Sequence, residues 1–227
     1  MRYNFSVKKV GIMKISVGVS NRHCHLTKEV YEKLFGKSEL TFKRALNQPG
    51  QFAAEETVII KGPKGSIEKV RVLGPFRSYN QVEVSKTDAY KLGINPPVRK
   101  SGHLDGASEL EIIGPKDKIT LPCGIIANRH IHISDALAKE WGVVDDEPVG
   151  VIIDGEKKGL IEAFFKTSSD GYLEIHLDTD DANGFLLKQN DTVEIKFKKK
   201  DYREFLNIKT LFFLVVRFGC AIMNVLI

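Results

Sequence analysis

Two segments of this chain are near-copies, Ser20-Asn21-Arg22-His23-Cys24-His25-Leu26-Thr27 and Ala127-Asn128-Arg129-His130-Ile131-His132-Ile133-Ser134. The stretch after each copy repeats as well. TKEVYEKLFG (Thr27 to Gly36) and SDALAKEWG (Ser134 to Gly142) each place a hydroxyl residue as helix N-cap and a glycine just past the helix end. Further on, Gln81-Val82-Glu83-Val84-Ser85-Lys86-Thr87-Asp88-Ala89 lies on Glu174-Ile175-His176-Leu177-Asp178-Thr179-Asp180-Asp181-Ala182, with Glu83 opposite His176. A duplication over so much of the chain requires two like units of roughly a hundred residues each. The expected division is an N-terminal extension (1–14), a first barrel repeat (15–105), a second (106–200) and an apolar tail (201–227), with exchange of strands between the units left open.

The units read as mainly β with short helices. Apolar or alternating runs separated by turn residues recur at Thr57–Lys61, Ile67–Leu73, Gln81–Val84, Leu110–Ile113, Val149–Ile153, Leu160–Phe165, Leu173–Leu177 and Thr192–Phe197. That texture predicts two duplicated antiparallel β-barrels capped by short helices. The turns Gly62-Pro63-Lys64-Gly65 and Gly114-Pro115-Lys116-Asp117 fit hairpin chemistry with no further role. With 42% hydrophobic residues in 227, the chain can bury one or two cores.

Four of the six histidines fall in the two His-x-His frames, and each frame follows a β-branched apolar run. In a strand, residues i and i+2 project from one face, so each imidazole pair can converge on a single ion. A lone His-x-His is a common coincidence, and a lone strand Glu or core His has ordinary explanations. Repetition in register changes that. His23, His25, Glu83, His130, His132 and His176 are more ligands than one tetrahedral zinc uses, so two ions near the junction of the halves are expected. Cys24, between two such histidines, should face the opposite way as a buried small residue.

Other chemistries lose support. No Gly-x-x-x-x-Gly-Lys, Gly-x-Gly-x-x-Gly or Gly-x-Ser-x-Gly occurs, which argues against a phosphate loop, a dinucleotide fold and a serine hydrolase. The net charge of +5 is spread among alternating acids and bases, unlike a nucleic-acid face, and suits a small polyanion. Three cysteines without paired spacing predict a reducing, cytoplasmic setting. No membrane association is expected, because Lys209 and Arg217 interrupt the apolar stretch Leu206 to Ile227.

The segments VGVSNRHCHLT, LNQPGQFAAEETV, VRVLGPFRSYNQVEVSKTDAYKLGINPPVRKSG, GIIANRHIHIS and EIHLDTDDAN resemble the PduL-type phosphotransacylases, the phosphate propanoyltransferases, from about Ile15 to Lys200. The resemblance implies an enzyme that exchanges acyl groups between coenzyme A and inorganic phosphate, built as paired β-barrels around two zinc ions. It implies one zinc on Glu83, His130 and His132, the other on His23, His25 and His176, and a phosphate-binding Arg77. Acyl-CoA, phosphate and acyl phosphate are then the small-molecule partners, with a homo-oligomer a further expected assembly. Microcompartment members carry an amphipathic N-terminal extension, whereas the first dozen residues here keep no helical period. A microcompartment lumen is therefore the second expected location.

The chemistry stands beside the resemblance. Phosphate is itself a competent nucleophile, a guanidinium fork binds two of its oxygens, and zinc accepts both carbonyl oxygen and sulfur. Direct attack on the thioester needs no protein nucleophile. Arg99 and Lys100, after Pro96-Pro97, are the expected contacts for the coenzyme A phosphates. Glu55 and Glu56 face opposite ways, so at most one reaches the site, and His103 is expected to be an exposed turn residue. Asp178, Asp180 and Asp181 are candidates for outer support of an imidazole or for helix capping. The competing functions are a di-zinc hydrolase of phosphate or acyl esters and a non-catalytic barrel with structural zinc.

Overall fold

A computed structural model of the chain describes residues 10–198; the expected apolar tail, 201–227, and the first nine residues lie outside the described part. In chain order the elements are β1 (Val10–Ser20), β2 (His23–His25), α1 (Lys28–Phe35), β3 (Phe42–Ala45), β4 (Phe52–Lys61), β5 (Ser66–Gly74), β6 (Gln81–Glu83), α2 (Lys86–Leu92), β7 (Val98–Arg99), β8 (Ser108–Ile113) and β9 (Lys118–Ala127). There follow β10 (His130–Ser134), α3 (Asp135–Trp141), β11 (Pro148–Ile153), β12 (Gly159–Ser168), β13 (Glu174–Asp178), α4 (Thr179–Gly184) and β14 (Thr192–Lys198).

The strands close into two six-stranded rings. One runs β4-β5-β2-β6-β9-β8 and back to β4, with β3 on β4 and β7 on β9 as outer strands. The other runs β1-β13-β10-β12-β11-β14 and back to β1. They match partner for partner: β2 is parallel to β5 and antiparallel to β6, as β10 is to β12 and β13. Each ring therefore mixes parallel with antiparallel pairs, because those neighbours are joined by long connections rather than hairpins.

The rings do not divide the chain at residue 105. β8 and β9 complete the first barrel, while β1, from the opposite end of the chain, completes the second. β1 also starts at Val10, inside the segment expected to be an extension, and pairs with β14 from Val10 to Ser16. The chain consequently changes barrel twice, at Asn21-Arg22 between β1 and β2 and at Asn128-Arg129 between β9 and β10.

Burial follows strand alternation. In β11, Val149, Val151 and Ile153 point inward, and in β12, Ile161, Ala163 and Phe165 do so. Tyr31 stacks on Phe35 and packs against Phe76 in the first core, and Trp141 stacks on Phe197 in the second. The expected caps are present: Thr27 and Ser134 accept from the third residues on, and Gly36 and Gly142 end their helices in the left-handed conformation. Two more short helices, α2 and α4, capped by Ser85 and Asp178, add to those the sequence pattern predicts. Among the described residues no helix is long and apolar enough to cross a membrane.

The two Gly-Pro-Lys turns do more than reverse the chain. Lys64 N–H donates to Leu92 carbonyl at the end of α2, and Lys116 N–H donates to Leu34 carbonyl at the end of α1, both at 3.0 Å. Each turn thus supplies a donor to one of the carbonyls a helix end leaves unpaired. The approach is close enough that a Cβ on Gly62 or Gly114 would lie 2.4 Å from that same carbonyl oxygen. Gly62→Ala and Gly114→Ala should each destabilise the fold by about 1–3 kcal/mol in urea unfolding. A variant with an unchanged midpoint would show that the helix ends do not depend on these turns.

Candidate active site

Both crossover dipeptides lead directly into a His-x-His strand, and in both the same local device fixes the first imidazole. His23 Nδ1–H donates to Asn21 carbonyl and His130 Nδ1–H to Asn128 carbonyl, each at 2.8 Å. A carbonyl only accepts, so Nδ1 carries the proton and Nε2 keeps its lone pair for a ligand role. The arginine of each dipeptide is held by an acid from the helix that comes after the third ligand. Arg22 Nε donates to Asp88 at 2.7 Å, and Arg129 makes a two-pronged pair with Asp181 at 2.7 and 2.8 Å. Asp178, with the Asp180 and Asp181 amides, caps α4, and Asp180 accepts from the Thr87 amide across the seam. Among the three aspartates, capping and clamping are therefore the observed uses.

Strand register assembles the ligands. His23 stands directly opposite Glu83 on β6, and His130 directly opposite His176 on β13. In each of the sets His23/His25/Glu83 and His130/His132/His176, one ligand atom per residue lies within 4.8 Å of the others, and either set can hold a metal ion. This grouping follows the barrels rather than the crossed sets implied by resemblance, because cross-strand opposites on one face are nearest neighbours. All six expected ligands are brought together. Four are almost wholly buried: His23, His25, His130 and His132 are 2–8% exposed.

The electrostatics favour a cation here. Burial opposes ionisation of Glu83, yet His23 and the other imidazoles hold it well below the usual carboxylate range. Burial likewise opposes protonation of His23, but Glu83, 3.5 Å from Nε2, and the Asn21 carbonyl raise its pKa. His25, His130 and His132 are kept neutral, as ligands must be. Burial and then His23 pull His25 down to about 3; burial and then Lys166 do the same to His130; burial and then His130 take His132 lower still. Among the described residues the buried Nδ1 of His25 has no hydrogen-bond partner, a costly state for a polar atom that a nearby cation would relieve. Imidazole and carboxylate donors of this kind fit zinc.

Both sets open on one cavity of about 900 Å³. Arg77 lines it, in the loop between β5 and β6. Its backbone N–H donates to Leu26 carbonyl, just past His25, and one terminal nitrogen donates to Gln51 at 2.6 Å. Its buried Nε has no hydrogen-bond partner among the described residues. Lys43, Arg44, Lys69, Arg71 and Lys166 also line the cavity, against Glu83 and Glu174 as its carboxylates. Lys166 stands beside His132 in register, and burial chiefly lowers its pKa.

Several expected residues lie elsewhere. Lys100 is paired with Asp145 and Arg99 donates to the Asp105 and Val98 carbonyls, and neither lines the cavity. Glu56 is engaged with Tyr31 and Thr41, Glu55 with Lys43, and His103 is exposed. Sequence reasoning passed over Lys166, Gln81 and Glu174. The last two stand two residues before Glu83 and His176, on the same strand face, so the rule that paired the histidines also marks them.

Known proteins share this pattern along most of the chain. A family model described as phosphate propanoyltransferase matches residues 16–188. A phosphate propanoyltransferase of Thermotoga maritima is 49% identical over 197 residues, covering 85% of this chain and 92% of that protein. Those of Rhodopseudomonas palustris and Salmonella typhimurium are 47% and 48% identical, covering 80% and 74% of this chain and 82% of each relative.

Cys24 and Cys123 belong to the first barrel's core, fully buried. Burial, then the neighbouring Cys123, raises the Cys24 pKa, and burial pushes Cys123 up to about 12. At pH 8 burial therefore keeps Cys123 as the neutral thiol. With Cys220, outside the described residues, changed to serine, the folded protein should show no thiol reacting with a disulfide reagent within minutes. Denaturation should expose two. Rapid labelling of Cys24 in the folded state would instead mark it as an accessible nucleophile.

Proposed function

The chain belongs to the phosphate propanoyltransferase family, and from that premise we propose that it catalyses acyl-CoA + phosphate = acyl phosphate + CoA on a short acyl group such as propanoyl or acetyl. One zinc ion would be held by His23, His25 and Glu83 and a second by His130, His132 and His176. The observation that carries this reading is the convergence of both donor sets and an arginine with an unpaired buried nitrogen on one cation-rich cavity. When bound, zinc supplies a Lewis acid for the thioester carbonyl and a soft partner for the sulfur.

The chain's own residues then have definite tasks. Arg77, fixed by Gln51 and by the Leu26 carbonyl, presents its free donors to phosphate and holds it against the acyl carbon. A phosphate oxygen forms the new bond to the acyl carbon as the C–S bond breaks and sulfur leaves as thiolate. Lys166 adds fixed positive charge beside His132, where negative charge builds up on the reacting groups. Lys43, Arg44, Lys69 and Arg71 are placed to bind the phosphates of coenzyme A, and that reading replaces Arg99 and Lys100. Attack is direct, since both cysteines of the described chain are buried in the core.

A coupled assay with acetyl-CoA, propanoyl-CoA and phosphate tests the reaction. Initial-rate patterns should be sequential, and acyl phosphate should form only when phosphate is present. Release of free acid from acyl-CoA or acyl phosphate without the partner substrate would favour the di-zinc hydrolase instead. Arg77→Ala should keep its metal and its fold while losing about 10² or more in kcat/KM for phosphate, with little rescue by Arg77→Lys. A wild-type phosphate KM and kcat in Arg77→Ala would remove this residue from the site. Elemental analysis should give about two zinc equivalents per chain, with one lost in His23→Ala/His25→Ala and the other in His130→Ala/His132→Ala.

A further inference from the structure

Two buried residues outside the donor sets occupy equivalent places. Gln81 precedes Glu83 by two on β6, and Glu174 precedes His176 by two on β13, so each shares a strand face with the third ligand of its set. Each also stands opposite the second histidine of its frame, Gln81 opposite His25 and Glu174 opposite His132. Gln81 is 0% and Glu174 4% exposed. Burial of such polar groups is tolerated when they are hydrogen-bonded.

Those bonds run to the third ligands. Gln81 Nε2 donates to Glu83 Oε1 at 2.7 Å and to Ser101 Oγ at 2.8 Å, while its Oε1 accepts from the Gly102 amide at 2.7 Å. His176 Nε2–H donates to Glu174 Oε1 at 3.0 Å, and Asn47 donates to the other carboxylate oxygen at 3.0 Å. The Tyr172 hydroxyl is 3.2 Å from Glu174 Oε1 and 2.8 Å from His176 Nε2. The chemical types are interchanged between the halves. Where the ligand is a carboxylate, its neighbour is a neutral amide that can donate; where the ligand is an imidazole, its neighbour is a carboxylate that can accept. Each set, counted with its neighbour, therefore contains one carboxylate.

We propose that Gln81 and Glu174 are matched positioning residues for the two metal sets, and that Glu174 supplies to the three-histidine set the negative charge that Glu83 supplies directly to the other. Glu174 fixes the tautomer of His176, leaving Nδ1 for the ion, the reverse of His23 and His130. A carboxylate behind an imidazole raises its basicity as a ligand, and loss of such a partner typically weakens metal binding by about 10–100-fold. Space is reserved for the arrangement: a Cβ at Gly18 on the neighbouring β1 would lie 2.5 Å from Glu174 Oε1 and 2.8 Å from His176 Cδ2.

The inference rests on the two-zinc reading, so the test is made where the two can fail separately. Zinc retention is measured by competition with a colorimetric chelator, alongside elemental analysis and thermal unfolding. In a His23→Ala/His25→Ala background, which keeps only the three-histidine ion, Glu174→Gln should weaken that ion by about 10–100-fold at an unchanged unfolding temperature, and Gln81→Ala should not. In a His130→Ala/His132→Ala background the pattern should reverse. Unchanged retention in Glu174→Gln, or equal weakening by both substitutions in both backgrounds, would overturn the assignment while leaving two zinc ions in place. Wild-type protein that takes up no zinc would overturn both readings.

Discussion

The backbone carbonyl of an asparagine, offered to a histidine at the point where the chain leaves one barrel for the other, is the contact on which the site depends. It occurs twice, Asn21 to His23 and Asn128 to His130. By accepting a hydrogen bond from Nδ1–H it leaves Nε2 of each first imidazole with its lone pair, and the adjacent arginine locks the crossover to Asp88 or Asp181. The candidate donors consequently lie along the seam of the barrels and outside both apolar cores. A strand exchange that looks like a topological complication is what brings two ordinary His-x-His strands to one cavity.

Charge is distributed along that seam with few carboxylates among many cations. Glu83 and Glu174 are the carboxylates that line the cavity, one within a donor set and one behind it. The surrounding lysines and arginines would repel bare divalent ions, so the donor sets must be compact, buried and well supported to hold them. The same cations would attract a nucleotide-bearing thioester and inorganic phosphate. On the proposed reading, the opposing demands of metal and substrate would be met by the placement of the negative groups in the donor sets and the positive groups around them.

Much of this was legible in the sequence because the duplication acts as its own control. His23, His25, Glu83, His130, His132 and His176 fall into two compact donor groups, Thr27 and Ser134 cap their helices, and the strand runs from Thr57 to Phe197 match observed strands. Barrel membership was not legible, since Val10 pairs with Lys198 and no local pattern encodes a partner so remote. Grouping of the donors within one barrel was not legible for a related reason: it depends on which residues stand opposite one another across strands. Arg99 and Lys100 showed that a basic loop near a motif in sequence need not face it, whereas Arg71 and Lys166, hidden within apolar strands, do.

The exchanged first strand also fixes an order of events during synthesis. The strands of the first barrel occupy a continuous stretch, from His23 to Ala127, and can close as soon as that stretch has left the ribosome. β1 is made before any of them, but its partners β13 and β14 are nearly the last strands described. Until they emerge, an apolar strand containing Ile15 and Val17 has no neighbour to pair with. The strand made first is thus among the last to be paired, and a nascent chain must keep it from wrong partners until β13 and β14 have been made.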